Sequence, residues 1–221
     1  MQACRITATE LACQRGERVL FAGLSFCLEA GEALQVQGAN GVGKSSLIRI
    51  LAGLLRPISG STDRHGVLGL LDEHPALDPH LPLGRALQFW QRLDGAADNA
   101  ADQLGLTTLL DVPVRYLSTG QKKRAALARL IGQRAAIWLL DEPLNGLDAR
   151  GAALVSQLVT AHCRSGGIAV IASHQPFALA ELKQIDLANF LPSPLGRGWG
   201  WWLGASVEPP PQPLPNGEGP A

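Results

Sequence analysis

The sequence has no excess of either charge and no long apolar run. Its 221 residues carry 19 Lys and Arg against 19 Asp and Glu, so the formal net charge is zero. Without a basic excess, the composition gives no electrostatic support for a nucleic-acid partner. No apolar run is long enough to cross a bilayer, and the first ten residues, MQACRITATE, lack the apolar core of a signal peptide. These absences predict a soluble protein that reaches a membrane only through a partner.

Cysteine is also scarce. The four cysteines are scattered, with no C-x-x-C pair and no metal-ligand spacing: Cys4, Cys13, Cys27 and Cys163. Isolated cysteines of this kind are typical of small core residues in a reducing compartment. The sequence also has no C-x-x-C-H haem attachment site and no set of axial ligands, so we expect no direct haem site in this chain.

A glycine-rich segment carries the first chemical signal. Residues 38 to 45 are GANGVGKS and fit G-x-x-x-x-G-K-[ST], the nucleotide phosphate-binding loop. The glycines let the backbone approach a polyphosphate, and successive N–H groups form an anion nest. Lys44 supplies a cation for the β- and γ-phosphates of ATP, and the Ser45 hydroxyl is a candidate Mg²⁺ ligand. The predicted nucleotide-binding residues are Gly38, Ala39, Asn40, Gly41, Val42, Gly43, Lys44, Ser45 and Ser46.

The surroundings of this segment decide between a phosphate loop and a glycine-rich turn that binds nothing. A short apolar strand is predicted over 33–37 before it, and helical apolar spacing follows over 46–55. Arg56 and Pro57 are expected to end that helix. Strand, loop, Lys-Ser and helix in this order favour the phosphate loop.

Alternating strands and helices predict an α/β core with a parallel sheet. Residues 5–36 predict a small N-terminal β layer, and residues 75–132 predict a small helical lobe. In that lobe, helices are expected over 83–93 and 97–110, and a further helix over 123–131 follows a polar loop. Apolar runs predict buried strands over 67–71, 136–140 and 168–172, with a helix over 149–163.

The last 31 residues have a different composition. Residues 191–221 hold eight of the fifteen prolines and three of the five tryptophans, with no hydrophobic periodicity. They are predicted to be a disordered tail after a single domain over 1–190. One interpretation is a proline-rich docking segment with tryptophan anchors. The other, which composition favours, is sequence outside the fold, such as a translated non-coding repeat.

Four more signals follow the phosphate loop in a fixed order. The polar string Leu-Ser-Thr-Gly-Gln leads into a basic helix start, two carboxylates close an apolar strand, an Asn-Gly-Leu-Asp string comes next, and a histidine stands beyond another strand. A carboxylate at a strand end can reach Mg²⁺, and a neighbouring one can accept a proton from water. The residues concerned are Leu117, Ser118, Thr119, Gly120, Gln121, Asp141, Glu142, Asp148 and His174.

Over about residues 3–190 this order resembles the ATP-binding-cassette (ABC) ATPases. The resemblance implies a P-loop NTPase core with an N-terminal antiparallel β layer and a small helical lobe. It also implies that Asp141 binds Mg²⁺, that Glu142 is the catalytic base and that His174 is the switch histidine. Residues 117–121 correspond to the family signature, with one glycine replaced by Thr119, and Asp148 corresponds to the D-loop. The family further implies a head-to-tail homodimer in which the signature contacts ATP held by the partner subunit.

Two positions depart from the family pattern. His74 stands where the family's Q-loop glutamine is expected, so it is either a substitute Mg²⁺ contact or a plain loop residue. The family's adenine-stacking aromatic is missing, and Arg15 lies near its position. Its guanidinium could stack on the base, but a surface arginine without such a role fits equally well.

Local strings around the phosphate loop and after His174 resemble the cytochrome c biogenesis branch of this family. That branch implies an ATPase on the cytoplasmic face of the inner membrane, bound peripherally to the integral subunits CcmB and CcmC. Hydrolysis would drive either haem export or release of a haem-loaded chaperone. The alternatives are the ATPase of another small exporter, or a nucleotide-gated scaffold without a transport role.

Overall fold

The structure is a computed structural model that describes residues 4–95 and 99–191. The predicted tail from residue 192 onward lies outside the described residues. The strands are β1 (Arg5–Arg15), β2 (Arg18–Glu29), β3 (Ala33–Gln37), β4 (Ser59–His65), β5 (Leu68–Leu71), β6 (Ile137–Asp141), β7 (Ile168–Ala172) and β8 (Lys183–Asp186). The α-helices are α1 (Lys44–Leu51), α2 (Leu83–Asp94), α3 (Ala100–Gln103), α4 (Thr119–Gly132) and α5 (Ala149–Arg164).

The N-terminal strands form a three-stranded antiparallel sheet in the order β2-β1-β4. Both β1 and β2 contain fully buried apolar residues, such as Ile6, Phe21 and Leu24, between exposed or half-buried ones, so one face of this sheet lies on a core. Strand β4 was not predicted from the sequence. Its residues are polar and mostly exposed, so only its pairing with β1 defines it as a strand.

The second sheet is parallel throughout and has the order β5-β6-β7-β3-β8. The sequence-based predictions of β3, β5, β6 and β7 are confirmed to within one residue at each end. The edge strand β8 was missed, because three of its four residues are exposed and it has no apolar run. The predicted fold class, an α/β core with an antiparallel layer and a helical segment, is confirmed.

The parallel sheet separates two apolar cores. Neighbouring residues of each inner strand point to opposite faces, so Leu139 packs with α1 and the antiparallel layer while Leu140 packs with α4 and α5. Both side chains are fully buried. A strand that is buried on both faces needs a continuous apolar sequence, which is what residues 136–140 provide.

Three helix predictions need correction. Helix α1 ends at Leu51 rather than near Leu55, because Gly53 adopts a left-handed φ of 76° and stops it before Pro57. The helix expected over 97–110 begins outside the described residues. From residue 99 onward the chain forms the short α3 and a separate 3₁₀ turn, Thr107–Leu109, since Gly105 is also left-handed. Helix α4 begins one turn before the predicted start at residue 123.

Among the described residues, no helix has the length and apolar character needed to cross a membrane.

Candidate functional site

The carboxyl ends of three neighbouring strands meet at one edge of the parallel sheet. Asp141 at the end of β6 is in register with Ala172 of β7, and Ala172 is in register with Val36 of β3. The phosphate loop leaves β3, Glu142 follows β6 and His174 follows β7. Parallel strands therefore bring together segments that are more than 130 residues apart in the chain.

The conformation of the phosphate loop requires glycine. Gly38 has a φ of 136° and Gly43 a φ of 118°, both in the left-handed region. A Cβ on Gly38 would lie 2.8 Å from Val42 Cγ1, and a Cβ on Gly43 would lie 3.0 Å from the Phe21 ring. Backbone freedom and lack of space thus both select glycine at these two positions.

The Lys44 ammonium group lies inside the loop. Its side chain is 6% exposed, and Nζ donates hydrogen bonds to the carbonyl oxygens of Gly38 at 2.8 Å and Ala39 at 3.2 Å. Nζ also lies 3.7 Å from Glu142 Oε1. The cation is therefore held beside the backbone of the loop that forms the anion nest.

Ser45 and Asp141 form a second contact beside it. The Ser45 hydroxyl donates to Asp141 Oδ1 at 3.0 Å. Burial raises the pKa of Asp141, and the Ser45 hydrogen bond opposes that rise in part. A partly buried carboxylate next to a hydroxyl has the chemistry of a site for a hard cation.

Glu142 is held by its backbone and by both carboxylate oxygens. Its φ of 46° is left-handed, an uncommon conformation for a residue with a side chain, and its N–H donates to the Ala172 carbonyl at 2.8 Å. Oε2 lies 3.0 Å from His174 Nδ1, and Oε1 faces Lys44. Strained backbone of this kind is concentrated at functional sites. The Glu142 side chain is 22% exposed and the His174 ring 45%, so water can reach the pair.

The signature residues are arranged by helix capping. Ser118 caps α4: its hydroxyl accepts from the Gln121 N–H at 3.3 Å, and Gln121 Oε1 accepts from the Ser118 N–H at 2.8 Å. A Cβ on Gly120 would lie 2.6 Å from the Gly146 carbonyl oxygen, so this helical turn packs directly on the loop after β6. Leu117 is buried beneath it, and Thr119 contacts Gly146.

Asp148 caps the next helix. Its Oδ1 accepts from the Gly151 N–H at 2.8 Å at the start of α5. Ser118 and Asp148 line one cleft of about 710 Å³, together with Arg124 and Arg150. None of the lining residues belongs to the phosphate loop. The structure thus brings the sequence-predicted residues together in two groups rather than one.

The two remaining predicted residues lie outside both groups. Arg15 ends β1 at a tight turn and is exposed. The His74 ring is 77% exposed, and its Nδ1 lies 3.9 Å from Glu73 Oε1. The backbone N–H of His74 donates to Asp72 Oδ1 at 2.8 Å. The contacts of His74 are therefore with its own neighbours, which favours the plain loop interpretation.

Lys123 was missed by sequence reasoning. It lies half-buried on α4, and burial lowers its pKa although Asp141, Asp72 and Glu142 attract its charge. The sequence marks a basic run at 122–124, but only the packing of α4 shows that the middle residue turns toward the carboxylates. Among residues 4–95 and 99–191, no group of three or more His, Cys, Asp or Glu side chains could hold a metal ion by itself.

Several known proteins share the sequence pattern or the fold of this chain. The profile of the ABC transporter family matches residues 21–145. The chain is 56% identical over 192 residues to the cytochrome c biogenesis ATP-binding export protein CcmA of Novosphingobium aromaticivorans, covering 87% of this chain and 100% of that protein. It is 48% identical over 190 residues to CcmA of Zymomonas mobilis, covering 85% of this chain and 86% of that protein.

A solved structure, described as an inward-facing conformation of a putative metal-chelate type ABC transporter, superposes with a TM-score of 0.70 and 25% sequence identity. The superposition covers 83% of this chain and 80% of that one.

Proposed function

Because the chain belongs to the ABC transporter family of ATP-binding proteins, we propose that it is the energy-coupling ATPase of a membrane transporter for c-type cytochrome biogenesis. The observation that carries the ATPase part is the placement of Glu142 between Lys44 and His174, beside the Ser45–Asp141 pair. The support for the cytochrome part is the likeness to the two CcmA proteins named above.

Each group has a defined part in hydrolysis. The glycine-rich loop and Lys44 bind the β- and γ-phosphates of ATP. Glu142 orients a water molecule and takes one of its protons as the water oxygen attacks the γ-phosphorus. The bond between the γ-phosphorus and the β–γ bridging oxygen then breaks, which gives ADP and phosphate. His174 donates a hydrogen bond to the γ-phosphate and keeps Glu142 in place.

A magnesium ion fits beside this machinery. Ser45 and Asp141 would supply oxygen ligands, since the Ser45 hydroxyl and Asp141 Oδ1 lie 3.0 Å apart. Partial burial raises the pKa of the Asp141 carboxyl, and a bound cation would favour its charged form. Phosphate oxygens and water would supply further ligands, as is usual for Mg²⁺. When bound, Mg²⁺ would neutralise charge on the phosphates.

We also propose that two copies of this chain complete two sites head to tail. Each phosphate loop would meet the signature of the other copy, so that Ser118 and Gly120 close over the γ-phosphate and Asp148 lies at the seam. The separation of the two residue groups within one chain supports this arrangement. It also explains why neither group alone is a complete nucleotide site.

Subunit mixing tests the shared site. A Lys44→Ala variant and a Ser118→Arg variant should each be inactive alone. When the two variants are mixed in equal amounts, random pairing makes half of the dimers mixed. Each mixed dimer has one intact composite site of its two, so about a quarter of all sites should be active. ATP hydrolysis should then reappear on mixing. If it does not, although the mixed subunits are shown to exchange, the composite site is wrong.

Membrane partners define the biological role. We propose that the chain binds peripherally to the cytoplasmic side of the inner membrane through integral subunits of the CcmB and CcmC type, which carry the recognition of haem. Purification of the tagged chain from solubilised membranes should recover these subunits. Recovery with a different permease would overturn the cytochrome role but leave the ATPase intact.

A further inference from the structure

Gln35 is a polar side chain at the centre of the parallel sheet. It lies on β3 between its register partners Ile171 of β7 and Gln184 of β8, and it is 0% exposed. Burying an amide is unfavourable unless its hydrogen-bonding groups find partners. Its neighbours along β3, Leu34 and Val36, are apolar, so a third apolar residue would suit the strand better.

The contacts of this amide are incomplete. Nε2 donates a hydrogen bond of 2.7 Å to the backbone carbonyl of Gln175, which lies 140 residues further along the chain. Oε1 is buried and has no hydrogen-bond partner among the described residues. An unpaired buried acceptor is destabilising by at least as much as one hydrogen bond contributes. Stability alone therefore does not account for glutamine at this position.

The bonded carbonyl belongs to the residue directly after His174. The same segment is tied to the sheet by the Ser173 N–H, which donates to the Val36 carbonyl at 3.2 Å, and the Gln175 N–H donates to Ser173 Oγ at 3.0 Å. The Gln35 side chain holds the end of this turn that follows His174, through its bond to the Gln175 carbonyl. His174 then contacts Glu142 at 3.0 Å.

We propose that Gln35 is a positioning residue for hydrolysis. By holding the Gln175 carbonyl, it sets the turn that carries His174, and His174 in turn sets the Glu142 carboxylate. The inference rests on the proposed roles of Glu142 and His174. It adds a fully buried side chain, outside the residues assigned to the nucleotide, to the determinants of turnover.

A matched pair of variants tests this proposal. Gln35→Met removes the amide and keeps an unbranched side chain of similar length. Gln133→Met is the control, because Gln133 has the same pattern: Nε2 donates to the Leu68 carbonyl at 3.2 Å and Oε1 is buried without a partner. Leu68 begins β5, at the opposite end of the strands from His174. If Gln35→Met does not fold, Gln35→Leu replaces it.

The two variants should differ in kcat for ATP hydrolysis. Gln35→Met should lower kcat for ATP hydrolysis about 10- to 100-fold, because small misplacements of catalytic groups have effects of this size. The KM for ATP and the melting temperature should stay close to those of the parent. Gln133→Met should leave all three unchanged. In a His174→Ala background, Gln35→Met should have no further effect, since it acts through that ring.

A second readout needs no turnover. In NMR spectra of the full chain, the ring signals of His174 should move in Gln35→Met and stay in place in Gln133→Met. The positioning role would be overturned if the His174 signals did not move in Gln35→Met, or if Gln35→Met and Gln133→Met lost kcat equally. A further loss of kcat from Gln35→Met in the His174→Ala background would also overturn it. If the parent chain itself fails to hydrolyse ATP, the proposed function is wrong, while the ring signals still report on Gln35.

Discussion

Two neighbouring strands of this protein run into the same four-residue string, Leu-Leu-Asp-Glu, in very different surroundings. The string spans residues 70–73 at the end of β5 and residues 139–142 at the end of β6, and Leu71 is in register with Leu140. The two acidic pairs therefore leave the same edge of the sheet side by side. Glu73 is 76% exposed and its Oε1 lies 3.9 Å from His74 Nδ1, whereas Glu142 is 22% exposed and contacts both His174 and Lys44.

The difference comes from the next strand in the sheet. Strand β6 lies between β5 and β7, so the residues after β6 meet the phosphate loop and the His174 turn, while β5 is at the edge. The Glu142 N–H bonds to the Ala172 carbonyl and its φ is left-handed, which aims the carboxylate inward. Position in the sheet, rather than the local string, makes one of the two glutamates a candidate base.

The largest test of this comparison is the removal of each glutamate in turn. Glu142→Gln should lower ATP turnover about 10²- to 10⁴-fold, because the amide cannot accept the proton of the attacking water. Nucleotide binding should persist. Glu73→Gln should change turnover by less than about twofold, as expected for an exposed side chain. Steady-state ATPase rates measure turnover, and nucleotide titrations measure binding. An equal loss of turnover in the two variants would show that the two glutamates do not differ in function.

The next test removes the partner that distinguishes Glu142. His174→Ala should lower kcat about 10- to 100-fold through loss of orientation, with a smaller change in the KM for ATP. The effect should be smaller than that of Glu142→Gln, because the base itself remains. A full rate with alanine at position 174 would show that Lys44 and the strained backbone suffice to place the carboxylate.

Asp141 and Asp72, the aspartates of the two strings, should differ in how they affect the stability of the folded protein across pH. The raised pKa of Asp141 means that the folded protein holds this proton more tightly than the unfolded chain does. The stability from this group is therefore present below the ordinary aspartate pKa of about 4 and is lost as the pH rises through the raised value. Asp141→Asn, which cannot ionise, should melt a few degrees higher than the parent near neutral pH, and this gain should shrink as the pH falls toward 4.

Asp72→Asn is the control for that measurement. It keeps the side-chain oxygen that accepts the His74 N–H, so the melting temperature should change less than in Asp141→Asn. Thermal melts of nucleotide-free protein across pH follow both variants. A gain for Asp141→Asn that grows on acidification would contradict the assigned direction.

The smallest expected effects concern the groups around Asp141. Ser45→Ala and Lys123→Met should both raise the pKa of Asp141 further, the serine change more than the lysine change, while Glu142→Gln should lower it. Carboxyl ¹³C titrations would follow these shifts. Lys122→Met is the matched control for Lys123, since it removes the same charge one residue away. An equal shift from both lysines would remove Lys123 from the site.

Much of the fold could be predicted because the inner strands are apolar on both faces. The run at 136–140 defines β6, and the glycine, lysine and serine spacing at 38–45 defines the loop after β3. Polar edge strands gave no such signal: Ser59–His65 and Lys183–Asp186 are strands only because β1 and β3 pair with them. The end of α1 was misjudged because Gly53 stopped the helix before the proline did.

Sequence by itself was enough to propose the chemistry of this protein: a phosphate loop, a serine and an aspartate for a cation, a glutamate for water and a histidine beyond it. Spacing, residue type and the order of the motifs are sufficient for that proposal, because anion nests and oxygen ligands depend on local backbone and on composition. Only the tertiary structure showed why the second Leu-Leu-Asp-Glu end faces the loop and the first does not, that Lys123 turns inward and that Gln35 holds the turn carrying His174. Those facts depend on strand order and on contacts between segments up to 140 residues apart, which no local pattern encodes.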